Sequence, residues 1–225
     1  MPYRSPPSRL IYRLEQPRIA DYERRVAGWA EETWLVSDRD RSKLAEVVPS
    51  ANLYLVPNGI DFKRFRAMPG RKNDSRLIFV GHLDVFHNVD AAHFLVDELF
   101  PLVRRRKVDC TLDIVGPGTG FQLASDKKEQ GVRRRGFVPD LNQALNEAAV
   151  FVAPLRFSAG VQNKVLEAMA AGLPVVTTRN VAEGLAARPG EDLLVGERSS
   201  ELADAVVMLL ENEQRRRQLG QAGQL

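Results

Sequence analysis

Cysteine is almost missing from this chain. Cys110 is the single one among 225 residues, which excludes an intramolecular disulfide framework, and its place in an apolar run reads as an inert core thiol. Long hydrophobic runs are missing too. None approaches the ~20 residues that span a bilayer, and the opening Pro2-Tyr3-Arg4-Ser5-Pro6-Pro7 lacks the apolar centre of a signal peptide. The expectation from these absences is a soluble, cytoplasmic protein, at most peripheral on a membrane. Charge of one sign is not in large excess: 32 basic residues against 29 acidic give a net charge of +3. The basic residues are clustered, at 104–107, 133–135 and 215–217. Such runs can meet nucleic acid, anionic lipid or phosphorylated substrates, or simply be the solvated ends of helices and strands. They contain no interleaved aromatics, so the stacking platforms of single-strand binders are absent, and no nucleic-acid partner is expected. Internal repeats and low-complexity stretches are also missing.

What is present is 44% hydrophobic sequence, enough for one sizeable core with a small appendage. The chain is organised around 150–178. An apolar strand, 150–154, passes through a small-residue turn, Ser158-Ala159-Gly160, into a helix over 162–171. The helix stops at Gly172 and a second apolar strand follows over 175–178. Strand, turn, helix, strand is the βαβ unit of a parallel sheet. Val165, Leu166, Met169 and Ala170 face the sheet. Lys164 and Glu167 lie three residues apart on another face and are neighbours. Unpaired amides of the helix start at Gly160, Val161 and Gln162 would form an anion site. Lys164 adds a point charge there, and Glu167, a turn later, can accept from two vicinal hydroxyls. Phosphate beside a diol is the ribose-phosphate portion of a nucleotide. The plainer alternative is a surface Lys-Glu pair worth a few tenths of a kcal/mol.

The run from Lys164 through Val165-Leu166-Glu167-Ala168-Met169-Ala170-Ala171-Gly172-Leu173-Pro174 resembles the nucleotide-sugar motif in the C-terminal domain of GT-B glycosyltransferases, family four. With the preceding Gly160-Val161-Gln162-Asn163 it is most similar to bacterial exopolysaccharide (PEP-CTERM-associated) sugar transferases. The resemblance implies that Glu167 binds the donor's ribose hydroxyls. It also implies an earlier glutamate, eight positions before, holding the donor sugar; that position is Ala159 here, so sugar recognition by that route does not carry over. Pro57-Asn58-Gly59-Ile60-Asp61 resembles the family's interdomain hinge. On its own it is an ordinary Asn-Gly turn.

The resemblance divides the chain. Residues 1–56 (helix, strand, helix, strand) would be a remnant of the N-terminal, acceptor-binding domain, and 57–75 the hinge and a polar loop. Residues 76–211 would be the nucleotide-sugar-binding domain, and 212–225 a polar helical tail. Two strands and two helices cannot bury a Rossmann core, so a fragment or a truncated product is expected, acting mainly as the donor-binding half and turning over poorly alone. Strands near 78, 112, 134, 152, 176 and 194, separated by helical patterns, predict a doubly wound, parallel, Rossmann-like α/β sheet, the C-terminal half of a GT-B architecture.

Ligands bind such sheets at the carboxyl ends of strands, and Gly81, Gly116, Phe137 and Gly160 all follow strand ends. Asn88 reads as the cap of a helix over 89–105, and Ser199 as the cap of one over 202–210. Where relatives place a basic pair for the diphosphate, this sequence has His82 and His87. His82 can still donate to phosphate, whereas His87 reads as loop polarity. Phe137 and Val138 are the carried-over nucleobase contacts, and read equally as strand-end core residues. Gly116-Pro117-Gly118-Thr119-Gly120 suggests a dinucleotide fingerprint, but its spacing is wrong and no carboxylate stands about 20 residues on. An NAD-binding protein is the second reading, and a basic nucleic-acid or membrane-surface module the third. The resemblance implies a retaining transfer from a nucleoside-diphosphate sugar to a glycan or lipid-linked acceptor. It implies no metal and no cofactor.

Overall fold

A computed structural model of the chain describes residues 6–69, 75–124, 127, 130–157 and 160–224. The Ser158-Ala159 turn, with the position of the earlier glutamate, lies outside the described residues, as do parts of the 57–75 segment and both extreme termini. Two compact units divide after Pro57: Met1–Pro57 and Asn58–Leu225.

The first unit holds α1 (Pro6–Trp29), β1 (Thr33–Leu35), α2 (Asp38–Val47) and β2 (Leu53–Leu55), with β1 and β2 pairing in parallel. Ser37 caps α2, its hydroxyl accepting from the Asp40 amide at 3.2 Å. Helix α1 begins at Pro6 and runs through Pro17. Proline deletes one backbone donor, and the adjoining residues are exposed, where water can take the freed carbonyl.

The second unit is a six-stranded sheet in the order β5-β4-β3-β6-β7-β8, every pairing parallel. Its strands are β3 (Arg76–Val80), β4 (Thr111–Val115), β5 (Val132–Gly136), β6 (Val150–Ala153), β7 (Val175–Thr177) and β8 (Leu194–Val195). All six match the sequence expectation. The order reverses between β3 and β6, the switch point at which doubly wound sheets bind ligands. Phe79, Leu112, Ile114, Phe151 and Val152 are fully buried, because helices cover both faces and leave no side for alternation.

Between β3 and β4 the chain is helical from α3 (Phe86–His93) through a π-helical stretch (Phe94–Leu99) into α4 (Phe100–Arg106). Asn88 does not cap it: Val85 is the N-cap and Asn88 lies buried in the first turn. Helix α5 (Leu141–Asn146) is capped by Asp140, which accepts from the Gln143 amide at 2.9 Å. The key helix, α6, is Asn163–Ala170, followed by α7 (Arg179–Gly184), α8 (Ser199–Glu211) and α9 (Glu213–Ala222). Ser199 is the first helical residue of α8 rather than its cap; Glu201 accepts from the amides of Glu197 and Arg198 there. Although its sequence is polar, α9 buries Leu219 and sets Gly220 against the Gly172 carbonyl.

The arginine runs are engaged within this unit. Arg133 and Arg135 pair with the fully buried Asp113 at 2.8 and 3.3 Å. Arg135 also meets Glu147, and Arg106 meets Asp204. Arg216 donates to the carbonyls of Leu209 and Leu210. Among the described residues no helix is long and apolar enough to cross a membrane.

Candidate functional site

Four loops leave the carboxyl ends of β3, β4, β5 and β6, and the first three are tied to one another before any ligand is considered. The amide of Gly81 donates to Val115, that of Leu83 to Pro117, and that of Gly116 to Gly136, at 2.7–3.0 Å. Asp84 accepts from the amides of Thr119 and Gly120 at 2.7 and 3.0 Å. Those bonds, Thr119's first, hold its carboxyl below the usual range. Arg156, beyond β6, forks onto the buried carboxylate of Asp90 in α3 at 2.6 and 3.0 Å, joining the two sides of the switch point. Thr177 and Thr178 donate their hydroxyls to the carbonyls of Ala153 and Leu155, fixing the exit of β6.

This arrangement explains the glycine-rich turn. Gly116 has φ +134°, and a Cβ there would lie 1.9 Å from the Gly81 carbonyl oxygen. A Cβ on Gly118 or Gly120 would collide with the backbone of Leu83 and Asp84. The glycines let two loops of the protein touch, an account of the turn that needs no dinucleotide.

The tied loops enclose a cavity of about 460 Å³, within the range of small-molecule sites. Of the residues proposed from sequence, Gly81, His82, Gly116, Phe137, Val138, Val161, Gln162, Lys164 and Glu167 all line it. Gly160 does not; its carbonyl instead closes on Gly184, whose added Cβ would stand 2.6 Å away. The helix start is also displaced from the sequence reading. Gln162 is the N-cap and α6 begins at Asn163, so the first-turn amides belong to Asn163 and Lys164 rather than to 160–162. Phe137 is 74% exposed at the mouth, not a strand-end core residue.

Lys164 is largely withdrawn from solvent. Its ammonium donates to Oδ1 of Asn88 and lies 5.5 Å from the centre of the Phe79 ring. Burial pulls its pKa down to about 8, opposed by Glu167. Glu167 is half-buried and its pKa is raised by burial, with Arg64 and then Lys164 working the other way. His87, read from sequence as loop polarity, lines the cavity, and burial followed by Lys164 favours its neutral form. Among the described residues no cluster of three or more His, Cys, Asp or Glu could hold a metal ion.

Sequence reasoning missed Arg64 and gave Asn88 the wrong role; both line the cavity. Arg64 is carried by a segment that buries Phe65 and is pinned to α5. The amides of Arg66 and Met68 donate to the side-chain oxygens of Asn142 and Asn146, and Asn146 donates back to the Arg66 carbonyl, at 2.8–3.0 Å. The signal was two asparagines four apart on a helix, which share a face and, when buried, need partners.

A model of the family described as "Glycosyl transferases group 1" matches residues 74–212, more than half of the chain. No curated protein matches the chain. Among solved structures, TarM from S. aureus is 16% identical with a TM-score of 0.76, over 91% of this chain and 41% of that one. The pneumococcal O-GlcNAc transferase GtfA, solved with UDP and GlcNAc, is 18% identical with a TM-score of 0.75, over 91% and 43%. The C-terminal domain of LpcC from Francisella tularensis is 19% identical with a TM-score of 0.58, over 74% of this chain and 95% of that domain. The chain thus spans about two fifths of the length of the first two, and its second unit has the fold of a GT-B C-terminal domain. Fold and family match agree: the chain belongs to the glycosyl transferases group 1 family.

Proposed function

We propose that this chain binds the donor of a glycosyltransferase, a nucleoside-diphosphate sugar, in the cavity over the sheet's switch point. One observation carries the reading. Lys164 and Glu167, one turn apart on α6, face the same hollow as the close-approach glycines Gly81 and Gly116. In such a transfer the bond between the anomeric carbon and the leaving phosphate oxygen breaks, and negative charge grows on the diphosphate. Lys164, the first-turn amides of α6 and His82 would stabilise that charge. Glu167 would hold the ribose hydroxyls and so orient the anomeric carbon. The solved relative with UDP and GlcNAc in its complex supports a donor of this class. Retention of anomeric configuration, a glycan or lipid-linked acceptor, and a role in exopolysaccharide or cell-surface glycan synthesis belong to the same proposal, as does work in the cytoplasm or at the inner membrane face.

The test is a thermal-shift panel of UDP, GDP, ADP and NAD on the wild type and Glu167→Ala. Ligand at 100 times its dissociation constant stabilises by about 2.7 kcal/mol. The expected result is a nucleoside-diphosphate shift that is lost or much reduced in Glu167→Ala. A shift with NAD alone would overturn the proposal.

A further inference from the structure

Asn88 has both ends of its side chain engaged, and each end ties to a different wall of the cavity. It is 5% exposed. Its Nδ2 donates to the His82 carbonyl at 3.0 Å, and its Oδ1 accepts from the Lys164 ammonium. The residue opposite has to be glycine for this to happen, since a Cβ on Gly81 would lie 2.9 Å from the Asn88 Cγ. An amide from α3, on one side of the switch point, therefore holds the cation of α6 on the other.

A lysine side chain is a flexible stem with many rotamers, and ordering it on binding weakens binding. An acceptor that orders it beforehand removes that cost. The chemistry of the acceptor also matters. A carboxylate would neutralise the ammonium, whereas an amide oxygen orients it and leaves its charge for an incoming anion. We infer that Asn88 is a positioning residue that fixes the Lys164 ammonium where a diphosphate would lie, so that the cavity prefers a nucleoside diphosphate to the bare nucleoside. This rests on the nucleotide-sugar reading above.

The charged and titratable groups around the ammonium are Glu167 on its own helix, His87 on α3, His82 on the loop after β3, and Arg64 on the segment before β3. Above pH 7 the second ionisation of a terminal phosphate, near pH 6, is already complete. A fall in diphosphate affinity through pH 8 then reports loss of the Lys164 proton.

Calorimetric titration of the full chain with UDP and with uridine, from pH 7 to 9.5, tests the role. Asn88→Ala should bind UDP about tenfold more weakly, while uridine affinity stays within about twofold. Asn88→Asp, nearly equal in volume, guards against a simple packing defect. It should also weaken UDP, and its affinity should start to fall at higher pH than in the wild type, because a carboxylate favours the protonated lysine. Equal losses for UDP and uridine in Asn88→Ala, or an unmoved pH profile in Asn88→Asp, overturn the inference. A wild-type preference for UDP that persists undiminished in Asn88→Ala overturns the inference alone. A wild type that does not prefer UDP to uridine overturns the nucleotide reading and the inference together.

Discussion

The chain builds two parallel sheets, and their surroundings differ. In the second unit, strand residues such as Ile78, Phe79, Phe151 and Val176 are wholly buried, since helices lie on both faces. In the first, β1 and β2 have one face toward their own helices: Thr33 and Leu35 line a groove of about 560 Å³ with Tyr22, Val26, Leu44 and Val47. On the other face, the paired Trp34 and Tyr54 are 67% and 50% exposed. Among the described residues of the first unit only Ala27, Ser37 and Val48 are buried. A parallel pair gains little from its own hydrogen bonds and depends on covered faces. Mutational sensitivity should therefore concentrate in the second unit, and within it at the loops that close over the switch point.

The sharpest way to break that comparison is Gly116→Ala. One methyl group would have to occupy space 1.9 Å from the Gly81 carbonyl, at a backbone angle that L-residues rarely adopt. Loss of at least about 4 kcal/mol of stability is expected, seen in urea denaturation followed by circular dichroism. A variant with the wild-type midpoint and slope would show that the tied loops are not part of the cooperative unit.

The second measurement sharpens the comparison by locating a weak point inside the stable unit. Lys164 has a folded pKa of about 8 against an ordinary 10.5. The unfolded chain thus binds more protons between those values, and the lysine's contribution to stability rises with pH across that window. Below pH 8 the cost of its buried charge is felt in full. Lys164→Met should then be more stable than the wild type at pH 7, by up to about 3 kcal/mol, with the gap closing between pH 8 and 10.5. Cys110, whose pKa is pushed up to about 12 by burial, acts in the opposite direction at high pH. It is common to both proteins and cancels in the difference. A constant gap across that range would rule out a buried, charged Lys164. Stability given up at the residue proposed to meet the phosphate is the familiar cost of a functional site.

The sheet was legible because its signals are local. Apolar runs such as 77–80 and 150–153, each closed by glycine, proline or a polar turn, carry strand identity in the residues themselves, and six were found in their places. Lys164 and Glu167 were legible for the same reason, since helical spacing alone puts them side by side. What stayed hidden depends on contacts distant in sequence. Arg64 reaches the cavity because Asn142 and Asn146 hold its segment, and Asn88 looks like a cap until Lys164, 76 residues later, donates to it. Gly160 was placed in the cavity and the helix start one residue early, at 162 instead of 163, because the N-cap Gln162 makes no side-chain capping bond and so leaves no mark in the sequence.

The smallest expected effect lies on the bare face of the first unit. Trp34 is the kind of large aromatic that in β6 or β3 would anchor a core, yet it is mostly exposed and its Nε1 donates to the exposed Glu32 carboxylate at 3.0 Å. Trp34→Ser should change stability by no more than about 0.5 kcal/mol, whereas Phe151→Ala, the comparable truncation in the covered sheet, should cost about 3–5 kcal/mol. Both are read from urea midpoints at two protein concentrations. If Trp34→Ser instead cost more than about 1 kcal/mol at either concentration, the ring would be covered in solution and the contrast between the two sheets would fail. A loss that grew with concentration would identify the cover as another copy of the chain, since only association makes stability depend on protein concentration.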